Sequence, residues 1–75
     1  MCLALPGEIR SIEGDYAYVD INGNEFRAYI KMLPEAKPGD FVMVHAGYAL
    51  QFIDEEEAQK TLALLREMDE MEDRD

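Results

Sequence analysis

A chain of 75 residues supports one domain at most, near the lower limit at which a hydrophobic core holds without staples, so its function must be compact. With 17 acidic against 7 basic residues the net charge is −10, which repels phosphate backbones and anionic membrane surfaces and weighs against a nucleic-acid binder. One cysteine and one histidine give neither an internal disulfide nor the four ligands of a structural zinc site. No run of about 18 apolar residues offers a membrane span, and the opening lacks the basic and apolar regions of a secretory signal. The expectation is a single cytoplasmic domain, residues 1–75.

Residues 1–53 read as short strands. Glu8 to Ile12 is the predicted first strand, with a turn at Gly14-Asp15, and Pro6-Gly7 is expected to stiffen and turn the chain as it enters. In "YAYVDINGNEF", Ala17, Val19 and Ile21 alternate with Tyr16, Tyr18 and Asp20. Asn22-Gly23 then supplies the positive-φ pair of a tight hairpin, beyond which Phe26, Ala28 and Ile30 resume one face. "LPEAKPGD" is a two-proline loop. "FVMVHAGYALQFI" reads as two further strands broken near Ala46-Gly47, the first with Val42 and Val44 on one face. Five short strands in about 50 residues predict a mainly β fold, a small OB-like five-stranded β-barrel, because closure hides strand edges.

The chain changes character at Asp54, and from that residue onward it carries 10 acidic and 3 basic residues. Asp54 is a good N-cap, Glu57 completes an Asp version of the capping box, and Glu55 and Glu56 suit the positive end of a helix dipole. One C-terminal α-helix is predicted over 54–72, with a frayed acidic tail at 73–75. Ala58, Leu62, Leu65 and Met68, with Thr61 beside them, follow the spacing of one helical face and are expected to dock on the barrel.

Cys2 is the position with chemistry. Met1 precedes a small residue, so trimming is expected to leave Cys2 as the N-terminus, where the neighbouring ammonium raises the thiolate fraction. A thiolate is a nucleophile and a soft ligand for iron. The bland reading is a small residue following Met1. His45, the only histidine, stands at a predicted strand end before a glycine turn. A neutral imidazole there either ligates a metal, accepts a proton, or is a hydrogen-bonded structural residue. The four tyrosines, Tyr16, Tyr18, Tyr29 and Tyr48, read mostly as strand packing with hydroxyls at the wet edge.

"MCLALPG" at the start, joined with "PGDFVMVHAGYALQ" from Pro38 to Gln51, resembles the HypC/HupF family of [NiFe]-hydrogenase maturation chaperones over almost the whole chain. The resemblance implies a cytoplasmic chaperone, not an enzyme. Its implied partners are the iron-sulfur scaffold protein HypD, where an Fe(CN)2CO group is assembled, and the hydrogenase large-subunit precursor that receives it. That group is carried transiently and nothing is permanently bound. The family's essential cysteine maps to Cys2 as an iron ligand. Its motif histidine maps to His45, either a second iron ligand or a residue orienting the arm. Cys2, Leu3, Ala4, Leu5, Pro6, Gly7 and His45 form the implied partner-binding surface.

Two other classes compete. An enzyme using Cys2 as nucleophile needs an oxyanion site and a pocket, for which the barrel has few polar side chains. A small protein-binding OB-like module with no metal role is the stronger alternative, separated from the first reading by whether iron carriage depends on Cys2.

Overall fold

The structure, a computed structural model, describes the backbone from residue 4 to 72 and side chains as far as residue 68. Cys2, Leu3 and the tail 73–75 lie outside the described residues. The elements in chain order are β1 (Leu5–Glu13), β2 (Tyr16–Ile21), β3 (Asn24–Tyr29), β4 (Phe41–His45), β5 (Tyr48–Phe52) and α1 (Glu55–Glu72). The strands close into the five-stranded barrel that the sequence pattern predicts, in the order β1-β2-β3-β5-β4. All pairings are antiparallel except β3 with β5.

A five-stranded barrel has a narrow interior, and the inward side chains are correspondingly small. Ala17, Ala28 and Ala49 are fully buried from three different strands, packed with Ile9, Val19, Ile21, Ile30 and Val42. The helix contributes Leu62 to the same core, and Ala58 is buried beside it. β1 serves two neighbours, pairing β4 through 5–8 and β2 through 8–13. The register shift between Ile9 and Ser11 makes Arg10 an extra residue, a bulge that lets one strand bend between both partners.

Three two-residue turns join neighbouring strands. Asn22-Gly23 and Ala46-Gly47 each place both residues at positive φ, the requirement of the hairpin turn that matches strand twist. Asn22 has a second task. Its amide Nδ2 donates to the Leu62 carbonyl at 3.2 Å, and its Oδ1 accepts from Arg66 Nη1 at 3.2 Å, so the β2–β3 turn is tied to α1.

Two expectations are corrected. Pro6 and Gly7 are not a turn before the first strand: β1 begins at Leu5, and both residues are buried within it. The reason lies at Gly7, where a Cβ would overlap Val19 Cγ1 and stand 2.8 Å from Ile21 Cγ1, so only glycine lets β1 cross so close to β2. Met68 is not part of the docked stripe, being 57% exposed. An 18-residue helix is about 27 Å long, and its packing against the core ends at Leu65. Phe26 shares the face of Ala28 and Ile30 but is 48% exposed, because β3 has no strand neighbour on that side at its level.

Gly7→Ala should destabilise the barrel by about 1–3 kcal/mol, the cost of overpacking a well-filled core, measured by urea unfolding. An unchanged midpoint would show that β1 and β2 can separate freely at this crossing.

Candidate functional site

One end of the barrel holds His45, one of the two positions the sequence singled out. β4 ends at His45, β5 starts at Tyr48, and the two residues pair across the Ala46-Gly47 turn. On the other side of β4, Leu5 pairs with Val44, so one step further along the same register stand Ala4 and His45. Ala4 is exposed, and Leu5 and His45 are partly buried. The start of β1 and the end of β4 therefore meet at one rim. Cys2 and Leu3 lie outside the described residues, two and one residues before Ala4. Pro6 and Gly7 are buried in the barrel wall.

The turn beside His45 is unusual in one respect. Ala46 has φ 53°, a left-handed conformation in which a Cβ crowds the following carbonyl. Gly47, at φ 86°, adopts the second position without that penalty and its carbonyl accepts the Tyr29 N–H at 2.8 Å. That bond anchors the hairpin tip to β3 and fixes His45 and Tyr48 at its base.

Beside the tip lies a feature that the sequence reading treated as packing. Tyr16 pairs with Tyr29 across β2–β3, and Tyr29 with Tyr48 across β3–β5, so three rings form a row on the outer wall. They stand edge to face, with centroids 5.5 Å apart for Tyr16 and Tyr29 and 5.8 Å for Tyr29 and Tyr48, the geometry favoured by aromatic quadrupoles. The Arg27 guanidinium lies over the Tyr16 ring, 4.5 Å from its centroid, a cation–π contact. With Ala46 and Gly47 the three tyrosines line an open groove of about 400 Å³. Tyr16 and Tyr48 are 38% and 50% exposed, so the row packs edge to face while its outer side meets solvent. Tyr16 opposite Tyr29 was legible from the Asn22-Gly23 turn, which fixes that register; Tyr48 was not, because it joins through barrel closure.

The chemistry of this end is sparse. Among the described residues no group of three or more histidine, cysteine or acidic side chains could hold a metal ion, and no polar side chain is buried. Among them His45 offers an imidazole nitrogen at the rim.

The HupF/HypC family model matches residues 1–65. The chain is 43% identical over 68 residues to the hydrogenase maturation factor HypC of Rhizobium leguminosarum bv. viciae, covering 89% of this chain and 91% of that one. It is 43% identical over 74 residues to HypC of Synechocystis sp., covering 91% and 97%. Similarity extends to the hydrogenase maturation factor HybG of Escherichia coli K12, at 37% over 76 residues, covering 92% and 93%.

Ala46→Gly should stabilise the protein by about 0.5 kcal/mol, since removing a left-handed Cβ gains more than the added freedom of the unfolded chain costs. Thermal unfolding checks this, and a loss of stability would mean that the Ala46 methyl makes a contact outweighing its strain. The matches span nearly the full length of this chain and of its relatives, and the chain belongs to the HupF/HypC family of hydrogenase maturation factors.

Proposed function

We propose that this protein is a cytoplasmic hydrogenase maturation chaperone that carries an Fe(CN)2CO group as cargo. It takes the group from the iron-sulfur scaffold HypD and brings it to the [NiFe]-hydrogenase large-subunit precursor. The observation that supports this reading is the meeting of β1 and β4 at one rim, with Ala4 a step from His45 in register, in a chain matched by the family model from its first residue.

The chemistry follows from the donors. Two peptide units separate Cys2 from Ala4, which confines its Cα to about 7 Å from that of Ala4. The Cys2 thiol loses its proton on binding and its sulfur donates a lone pair to iron, whose cyanide and carbonyl ligands remain in place. On transfer a ligand of the precursor replaces the sulfur, which leaves with its lone pair and regains a proton. Iron keeps its oxidation state throughout, and a soft thiolate suits both the capture and the release. The partner surface in this reading is Cys2, Leu3, Ala4, the open part of Leu5, and His45, with Pro6 and Gly7 as the rigid base from which the arm projects.

His45 has two available roles, a second donor to iron or a residue that orients the arm. The first makes the imidazole part of the cargo site. The second makes it a positioning residue.

Cys2→Ala should retain the far-UV circular dichroism of the wild type while hydrogenase precursor accumulates unprocessed in cells; normal processing would remove the central role of the sulfur. His45→Ala should abolish bound iron if the imidazole ligates, and reduce it only partly if it orients the arm. Iron content of the anaerobically purified variant decides between them.

A further inference from the structure

β3 has an open edge, and its pattern describes the segment that fits it. Ile21 and Asn24 flank the two-residue turn and so form a hydrogen-bonded pair. Alternation along the ladder then directs the N–H and C=O of Glu25, Arg27 and Tyr29 away from β2. Tyr29 bears this out, since its N–H reaches the Gly47 carbonyl at 2.8 Å. The pairing of β3 with β5 stops at that residue. Among the described residues, the backbone groups of Glu25 and Arg27 meet no backbone partner on this side.

The side chains tell the same story. Asn24, Glu25, Phe26 and Arg27 are four consecutive exposed residues on both faces of one barrel strand. Phe26 turns toward the barrel interior face yet is 48% exposed, which is the state of a ring awaiting a neighbour. The edge runs into the groove of Tyr16, Tyr29 and Tyr48, so backbone donors, backbone acceptors and apolar rings are continuous.

We infer that this edge receives an extended segment of a partner protein as an added strand. Resting on the proposed function, the inference names how the scaffold protein is held. An added strand satisfies the Glu25 and Arg27 backbone groups with main-chain bonds, the mode of recognition in which side chains supply specificity. Cross-strand charge pairing calls for a basic side chain beside Glu25 and an acidic one beside Arg27, with an apolar side chain against Phe26. A second copy of this chain also presents these residue types, but each copy carries a net charge of −10, which opposes self-association. A partner of other charge meets no such barrier.

The test uses the full chain and the purified scaffold protein. Amide hydrogen exchange of Glu25 and Arg27, resolved by NMR, should slow by about tenfold or more on complex formation, as hydrogen-bonded strand amides do. Arg27→Pro removes a donor that serves no internal ladder bond, so its thermal midpoint should match that of Arg27→Ala, which loses the same cation–π contact with Tyr16, while scaffold binding weakens about tenfold. Arg27→Ala keeps the N–H and should weaken binding less. A complex in which both amides exchange as fast as in the free protein overturns the inference and leaves the proposed function standing. So does protection already present in the free protein together with a dimer by sedimentation, which would make the occupant a second copy. No binding of the scaffold at all overturns the proposed function, and this inference with it. The exchange measurement is made on the wild type, so it decides even if Arg27→Pro fails to fold.

Discussion

The barrel closes through a single residue pair. β3 and β5 meet only at Tyr29 and Tyr48, and the Tyr29 N–H bonded to the Gly47 carbonyl is the link. The interior is filled by alanines and β-branched residues, so five strands must tilt and stagger strongly to close around it. That stagger makes the end of one strand meet the beginning of another. Three consequences follow from it. The β4–β5 hairpin is held at its tip, which fixes His45 at one rim; the tyrosines of three strands align into a row; and the rest of β3 is left with an edge.

The same stagger explains how much was legible in the sequence. Strand alternation in "YAYVDI" and "FVMVH", the Asn22-Gly23 turn and the Asp54 boundary are local signals, and each element they imply is present. Pro6-Gly7 misled because its usual meaning is a turn. Here glycine answers a long-range requirement, the close passage of Val19 and Ile21, that no local pattern reveals. Met68 misled in the opposite sense: its periodicity is correct, but the length of surface available to cover a helix is a property of the barrel. Phe26 likewise follows its strand's alternation and is exposed because closure ends at Tyr29. Of the candidate site, the position of His45 before a glycine turn was readable and is observed; the groove beside it was not, since Tyr48 joins Tyr29 only in the closed barrel.

A carrier and an enzyme make different demands, and the proposed function rests on those of a carrier. Turnover requires preorganised dipoles around a reacting centre in a shielded pocket. The described residues hold no buried polar side chain, and the groove is open on the outer wall. Delivery requires a soft donor at an accessible place, a rigid base and surfaces that partners recognise. β1 supplies the base: its first residues are locked against β4, and Pro6 and Gly7 are buried. The helix, tied at Asn22 to the β2–β3 hairpin, completes the core.

The central claim is that Cys2 carries iron between two partners. The most direct measurement is anaerobic purification of C-terminally tagged wild type and Cys2→Ala from the native cell, with iron analysis, infrared spectra and identification of co-purified proteins in the same samples. The account predicts iron with cyanide and carbonyl stretching bands in the wild type, together with the scaffold and a hydrogenase precursor, and loss of those bands in the variant. Equal recovery of the same partners without iron in both would contradict it, leaving a docking module in which the cysteine is a bystander.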